Sequence, residues 1–194
     1  MKKKVLITGG SGLLAVNWAL SIRDNYAITL LLHHKKISLS GVDRDVVSLD
    51  SLEKCSTVLA KHQPDIVIHA AGLTNIEECE SNPDLAKEVN VDLAKNIAIV
   101  CSDQGIKLVH ISTDHLFSGD QELATEESIT NPVNIYGETK LLGEQQVLEN
   151  CKDALVVRTN FFCCGTKYRQ SFSDFILNKL KNNKQSNLFS DIYF

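Results

Sequence analysis

Residues 5–15 read Val-Leu-Ile-Thr-Gly-Gly-Ser-Gly-Leu-Leu-Ala, and an amphipathic stretch follows from Val16 to Ile22. The apolar start predicts a buried strand, the glycines predict a sharp turn, and the amphipathic stretch predicts a helix. Gly9 lets the chain turn off the strand, and Gly12 lets a phosphate approach the backbone without meeting a side chain. Because the first turn of a helix presents unpaired N–H groups and the positive end of its dipole, the stretch predicts a site for a dinucleotide pyrophosphate.

The spacing within this glycine turn is G-x-x-G-x-x-A, with Ala15 at the place where a third glycine would allow the closest packing of helix on strand. A glycine turn after a first strand also occurs as a purely structural device, so the prediction depends on the rest of the chain. The residues that we predict to contact the cofactor here are Gly9, Ser11, Gly12, Leu13 and Leu14.

Apolar runs alternate with amphipathic stretches along the chain, which predicts a parallel sheet with helices on both faces. Six strands are predicted, near residues 4–8, 27–32, 45–49, 65–70, 106–111 and 154–158. Right-handed crossovers favour the order 3-2-1-4-5-6, a Rossmann-type doubly wound α/β fold. The predicted helices cover 51–62, with Asp50 and Glu53 as a capping box, then Pro83 to about Gln104, and 135–150.

Tyr136 and Lys140 are four residues apart on a predicted helix, so both side chains share one face. A nearby ammonium stabilises a phenolate, so we expect a tyrosine pKa below the ordinary value of about 10. Tyr136 could then donate a proton near neutral pH. The alternative is an exposed helical pair with the lysine in solvent.

Ser112, Thr113 and Asp114 follow the apolar run from Leu108 to Ile111. Ligands of open parallel sheets lie outside the carboxyl ends of the strands, so these side chains should face the same crevice as the glycine turn. Thr113 could then hydrogen-bond a carbonyl oxygen. The alternative is a polar cluster that turns the chain and caps the next element.

Together these segments resemble the extended short-chain dehydrogenases/reductases, and within them the dTDP-4-dehydrorhamnose reductase-like branch. The resemblance extends from Val5 to about Asn160 and depends on motifs that occur in the family's order. Besides the glycine turn, the motifs are residues 64–72, Val89-Asn90, residues 112–119, Asn131-Pro132, Tyr136-Gly137, Lys140, Gly143-Glu144 and residues 157–159.

The resemblance implies an NADPH-dependent reductase of a 4-keto nucleotide sugar. Tyr136 would donate a proton to the ketone oxygen, Lys140 would bind the nicotinamide ribose hydroxyls, and Thr113 would hydrogen-bond the reacting oxygen. Asn90 matches an asparagine near the active site. The resemblance also implies cofactor contacts from Ala70, Ala71, Gly72 and Lys140, and substrate contacts from Thr74, Asp114 and Asn160.

The segment after the second strand reads His33-His34-Lys35-Lys36. A protein that prefers NAD usually has an acidic residue here, about 20 residues beyond the glycine turn. With no carboxylate to repel a 2′-phosphate, the segment favours NADP, and NAD stays possible. We predict cofactor contacts from His33, His34 and Lys35, with Asp50 as a further contact. The alternative is a basic turn that lies in solvent.

The chain has 194 residues and is 43% hydrophobic, enough for one substantial core. We predict an NADP-binding domain with the catalytic residues over 1–160 and the start of a substrate-binding region over 161–194. The net charge of -4 gives no electrostatic reason to bind nucleic acid or an anionic membrane. With no run of about 18 apolar residues and no signal-peptide pattern, we expect a cytoplasmic protein.

None of the six cysteines has the C-x-x-C spacing of a zinc or redox site, so we predict free thiols and no metal. Six of the seven phenylalanines lie after residue 160, so we expect this tail to need a partner surface. Relatives in the branch continue past the sixth strand, whereas the last residues here, 191–194, look like the middle of a strand. We therefore expect a truncated substrate-binding region, and a chain that binds NADP(H) but shows little or no sugar reductase turnover.

Three further possibilities follow from the family. The two long helices, 83–104 and 135–150, pack across a dimer interface in many extended reductases, which suggests a homodimer. The same scaffold also supports epimerisation or dehydration of a nucleotide sugar. A non-catalytic NADP-binding regulator, similar to the regulatory subunit of methionine adenosyltransferase, is the alternative from a different class.

Overall fold

The computed structural model describes residues 1–120, 123–161, 164–166, 168 and 170–187. Six parallel strands form one sheet in the order β3-β2-β1-β4-β5-β6, which confirms the predicted Rossmann-type topology. The strands are β1 (Lys4–Thr8), β2 (Ala27–Leu32), β3 (Asp43–Val46), β4 (Ile66–His69), β5 (Lys107–Ser112) and β6 (Leu155–Arg158).

Helices connect the strands and cover both faces of the sheet. They are α1 (Leu13–Ile22), α2 (Leu52–His62), α3 (Ile76–Ser81), α4 (Pro83–Lys87), α5 (Leu93–Asp103), α6 (Ile135–Asn150) and α7 (Phe172–Lys181). The helix predicted from Pro83 to about Gln104 is interrupted, because a π-helical segment, Glu88–Asp92, joins α4 to α5. Neither α3 nor α7 was predicted from the sequence.

Two local predictions were wrong. The third strand covers Asp43–Val46 rather than 45–49, since the apolar Val47 and Leu49 pack on the core after the strand has ended. The N-cap of α2 is Ser51, whose hydroxyl accepts the N–H of Lys54. The Asp50 carboxylate instead accepts hydrogen bonds from the side chains of Ser48 and Lys54, so Asp50 and Glu53 form no capping box.

The sheet has a hydrophobic core on each face, which explains why its strands read as continuous apolar runs. On one face Leu6, Val67 and Leu108 pack with residues of α2, α5 and α6. On the other face Ile7 and Ile68 pack with residues of α1. The carboxyl ends of β1, β4 and β5 lie side by side at one edge of these two cores, where the predicted site residues gather.

Some predictions concern residues outside the part of the chain that the structure describes: Cys163, Phe162, Phe189 and residues 191–194. Within the described part, Cys55, Cys79, Cys101 and Cys151 are buried free thiols, and Cys164 is exposed. Of the helices described, none combines the length and apolarity needed to cross a lipid bilayer.

Candidate functional site

The glycine turn between β1 and α1 is built by close backbone contacts. Gly9 has φ +63°, and a Cβ on it would lie 2.8 Å from the Ala70 carbonyl oxygen and from Ala71. The N–H of Gly12 donates to the Gly9 carbonyl at 2.7 Å, and Gly12 then stands as the N-cap of α1 with no side-chain cap. The first-turn N–H groups of α1 therefore have no capping side chain over them, as an anion site requires.

Thr8 joins the carboxyl ends of β1 and β4. Its hydroxyl oxygen accepts the N–H groups of Ala70 at 3.2 Å and Ala71 at 3.1 Å, and it lies 2.8 Å from Nδ1 of His69. Two accepted hydrogen bonds leave the hydroxyl proton to donate to Nδ1, so the neutral His69 ring carries its hydrogen on Nε2. This network fixes the Ala70–Ala71 backbone against the glycine turn.

The polar residues after β5 converge on Tyr136. The Thr113 hydroxyl accepts the N–H of His115 at 3.2 Å and donates to the Asp114 carboxylate at 3.3 Å. Thr113 also hydrogen-bonds the Tyr136 side chain, and the His115 ring meets the Tyr136 ring edge-on, 5.5 Å between centroids. The structure thus brings together the threonine and the tyrosine predicted from the sequence.

The first turn of α6 is held by two hydrogen bonds that set the direction of Tyr136. The Asn134 side chain accepts the N–H of Gly137 at 2.8 Å, and the Glu80 carboxylate accepts the N–H of Ile135 at 2.8 Å. A Cβ on Gly137 would lie 2.5 Å from the His115 carbonyl oxygen, so the turn after β5 packs directly on this glycine.

Lys140 is buried, and its Nζ donates to the Ile111 carbonyl oxygen at 2.6 Å. Burial lowers the pKa of Lys140 to about 8, while the Glu144 carboxylate opposes this shift. Glu144 itself is buried and accepts hydrogen bonds from Arg158. The ammonium is therefore directed at the carboxyl end of β5.

The predicted pKa shift of Tyr136 was wrong in direction. Burial raises the pKa of Tyr136 above its ordinary value, Asp114 adds to the rise, and the hydrogen bond with Thr113 opposes it. Loss of hydration disfavours the phenolate. The groups that shift the Tyr136 pKa do not include the Lys140 ammonium, which donates to the Ile111 carbonyl.

Asn90 fastens the segment after β4 to α6. Its side-chain oxygen accepts the N–H of Leu73 at 2.8 Å, and its amide donates to the Leu73 carbonyl and to the Thr139 hydroxyl, both at 3.0 Å. Asn90 lies in the π-helical segment and is buried. Its hydrogen bonds hold the segment after β4 in place behind the groove wall. π-helical turns within α-helices occur frequently at functional sites.

A groove of about 620 Å³ crosses the carboxyl ends of the strands. This volume lies in the range of small-molecule sites, about 300–1,000 Å³. The glycine turn lies in its wall together with Thr113, Tyr136 and Lys140. The predicted residues that line it are Gly9, Ser11, Gly12, Leu13, Leu14, His33, Asp50, Ala70, Ala71, Gly72, Thr74, Thr113, Asp114, Tyr136, Lys140 and Asn160.

The groove lining also differs from the prediction in places. His34 and Lys35 are exposed and lie outside the lining. Asp92, Asn96 and Phe161 line the groove but were not predicted. Asp92 and Asn96 stand four residues apart, so polar spacing on one helix face could have found them. No sequence signal pointed to Phe161.

Comparisons with known proteins give consistent results. The RmlD substrate binding domain family matches residues 3–193. A dTDP-4-keto-6-deoxy-D-glucose reductase of Streptomyces niveus is 34% identical over 161 residues, 82% of this chain and 52% of that protein. The methionine adenosyltransferase 2 subunit beta of Bos taurus is 35% identical over 158 residues, 80% of this chain and 46% of that protein.

Among solved structures, the dTDP-4-dehydrorhamnose reductase of Bacillus anthracis in complex with NADP matches with a TM-score of 0.80 and 30% identity. The match covers 95% of this chain and 62% of that one. The chain thus spans about half the length of the curated relatives it matches.

Proposed function

The chain belongs to the RmlD substrate binding domain family, and on that premise we propose that it is an NADPH-dependent reductase of a 4-keto nucleotide sugar. One observation carries the proposal: the glycine turn lies in the same groove as Thr113, Tyr136 and Lys140. The reductase names of the relatives and the NADP in the complex of the Bacillus anthracis enzyme support it.

The residues present fit a dinucleotide. Gly9 and Gly12 bring bare backbone to the wall of the groove, and the uncapped first turn of α1 supplies N–H groups for the pyrophosphate. Ala70, Ala71 and Gly72 leave the floor free of large side chains, and Lys140 supplies the cation for the ribose hydroxyls. A bound NADPH supplies the hydride that reaches the ketone carbon.

The proton comes from the chain's own residues. Tyr136 donates its phenolic proton to the ketone oxygen, so that a hydroxyl forms and a phenolate remains. Burial keeps the pKa of Tyr136 above its ordinary value, so the phenol carries its proton at neutral pH, and the hydrogen bond with Thr113, which opposes that rise, favours release of the proton. Thr113, which is buried beside it, hydrogen-bonds the reacting oxygen and then the phenolate.

We also propose that the chain is divided into two regions and that it forms a homodimer. Residues 1–160 form the NADP-binding unit with the catalytic residues, and the substrate-binding region starts at residue 161. Two copies pair through the outer faces of α5 and α6, where Leu142 and Leu148 of α6 are exposed. Sedimentation of the chain as a monomer at micromolar concentration would contradict this pairing.

Binding of NADPH tests the residues that carry the proposal. Gly12→Asp places a carboxylate in the phosphate turn, and we expect it to weaken NADPH affinity at least about tenfold in a fluorescence titration. Ser21→Asp adds the same charge at the exposed end of α1 and is the matched control. Equal NADPH affinity in the two variants would contradict the proposal.

Consumption of NADPH with a dTDP-4-keto-6-deoxy sugar tests the reaction. In a single-turnover measurement, which detects even a slow rate, Tyr136→Phe should lower the rate by about 100-fold or more, because it removes the proton donor, and should leave NADPH affinity unchanged. Conversion of the sugar without net loss of NADPH would instead indicate epimerisation or dehydration.

A non-catalytic dinucleotide-binding subunit is the second candidate. The 35% identity with the beta subunit of methionine adenosyltransferase 2 favours it. This candidate requires that NADPH binds, that no sugar oxidises it, and that Tyr136→Phe leaves cellular function unchanged.

A further inference from the structure

Tyr168 connects the glycine turn with the basic segment that follows β2, two regions that are far apart in sequence. Its hydroxyl donates to the carbonyl oxygen of Ser11 in the glycine turn at 2.9 Å. The Nζ of Lys35, which follows β2, lies 5.5 Å from the centroid of the Tyr168 ring. One side chain thus bridges the phosphate turn and the basic segment His33–Lys36.

The backbone near Tyr168 is anchored to described residues on both sides. Asn17 of α1 donates its side-chain amide to the Cys164 carbonyl oxygen at 3.1 Å. The N–H of Gly165 donates to the Asp174 carboxylate at 2.7 Å, and the same carboxylate forms the capping box of α7 with Ser171. These contacts place Cys164 beside α1 and Gly165 beside the first turn of α7.

Lys35 needs such a partner if it is to discriminate between cofactors. An exposed lysine has a flexible four-carbon stem, and its ammonium samples many positions in solvent. An aromatic ring within about 6 Å of the ammonium attracts it and narrows that range. NADP differs from NAD by a 2′-phosphate with a charge between about −1.5 and −2. An ammonium whose position is fixed near the ribose attracts this phosphate and therefore favours NADP over NAD.

We propose that Tyr168 is a positioning residue for cofactor choice: its ring holds Lys35 for the adenosine 2′-phosphate, and its hydroxyl anchors the ring to the glycine turn. The inference rests on the proposed function in one respect, namely that the groove binds a nicotinamide dinucleotide. On this proposal Lys35 acts on the cofactor although it lies outside the groove lining.

Titrations of NADPH and of NADH with variants of Tyr168 and Lys35 test the inference. Tyr168→Leu should weaken NADPH binding about two- to fivefold, the range of an exposed cation–π contact, and leave NADH binding unchanged. Tyr168→Phe keeps the ring and loses the bond to Ser11, so it should retain more of the NADPH preference than Tyr168→Leu does. Tyr168 is 41% exposed, so these variants should fold, and their melting temperatures check this.

The double variant separates positioning from a structural role. In a Lys35→Met background, Tyr168→Leu should not change the ratio of NADH to NADPH dissociation constants any further. Equal loss of both dinucleotides in Tyr168→Leu, or an undiminished effect of Tyr168→Leu on the ratio in the Lys35→Met background, would overturn the inference. Binding of neither dinucleotide by the wild-type chain would overturn the proposed function as well, so the two failures are distinguishable.

Discussion

Lys140 is the residue whose charge state sets the pH range of the groove. Burial lowers its pKa to about 8, so the ammonium is protonated at neutral pH and loses its proton as the pH rises past that value. The proposed function needs the cation for the ribose hydroxyls. We therefore expect NADPH affinity to fall, by about tenfold if one charged hydrogen bond is lost, between pH 7 and pH 9.

Two lysine variants test this pH dependence. Lys140→Met should bind NADPH weakly at pH 7 and show no further fall up to pH 9. Lys152→Met, which removes an exposed lysine, should keep the pH step of the wild type. Retention of the step in Lys140→Met would assign it to another group.

Spacing alone could place Tyr136 and Lys140 on one face of a helix, and the structure brings both to the groove. Spacing could not give the direction of the Lys140 side chain, because the Ile111 carbonyl that it binds comes from a strand 29 residues away. Nor could it give the burial that raises the pKa of Tyr136. The residue types were predictable, whereas their electrostatics depend on the packed structure.

Gly143 lies where α6 packs closely against the π-helical segment Glu88–Asp92. A Cβ on Gly143 would collide with the Asn90 carbonyl oxygen of the π-helical segment. An alanine raises helix propensity by roughly 0.8–1.0 kcal/mol relative to glycine. Overpacking typically costs about 1–3 kcal/mol, so we expect Gly143→Ala to lower the free energy of unfolding despite its propensity.

Urea denaturation of Gly143→Ala measures this effect. Gln145→Ala, an exposed position on the same helix, is the control and should change the free energy of unfolding by less than about 0.5 kcal/mol. A Gly143→Ala variant as stable as the wild type would contradict this expectation, because the cost of moving α6 away from the π-helical segment would then only equal the gain in helix propensity.

The elements differ in how well the sequence predicts them. β1, β2, α2 and α6 have strong patterns, and their predicted bounds lie within a residue or so of the structure. β3 reads Asp-Arg-Asp-Val and lies at the sheet edge, so no apolar run marks it. The π-helical turn at Glu88–Asp92 leaves no mark in a continuous helical pattern, and the partners of its Asn90, Leu73 and Thr139, are distant in sequence.

Across the whole molecule, a row of polar side chains crosses the sheet just below the groove. Thr8, His69 and His110 are in register on neighbouring strands, and all three are buried. The two rings stack 5.3 Å apart. No protein group among the described residues hydrogen-bonds Nε2 of His69 or either ring nitrogen of His110. The row therefore joins three strands through neutral imidazole rings, and protonation of either ring in the folded protein costs free energy.

This row makes the stability of the fold dependent on pH. Burial, with the nearby Lys140 charge, lowers the pKa of His69 to about 3 and that of His110 well below its ordinary value of 6.5. Below pH 6.5 the unfolded chain binds protons on both residues and the folded chain does not, so stability falls as the pH falls. For each histidine, the free energy of unfolding falls by up to about 1.4 kcal/mol per unit of pH. The protonation of Lys140 affects stability in a separate pH range, between its pKa of about 8 in the folded chain and its ordinary pKa of 10.5.

Urea denaturation at pH 7.5, 6.0 and 5.0 checks this dependence. The free energy of unfolding of the wild type should fall across the series, and His69→Gln or His110→Gln should each reduce the fall, since each removes one proton acceptor of the unfolded chain. Val67→Ala, a buried core change without a titrating group, should lower the free energy by a similar amount at each pH. Because the carboxyl groups with lowered pKa titrate below this range, a wild type of constant stability from pH 7.5 to 5.0 would mean that the two rings accept protons in the folded state.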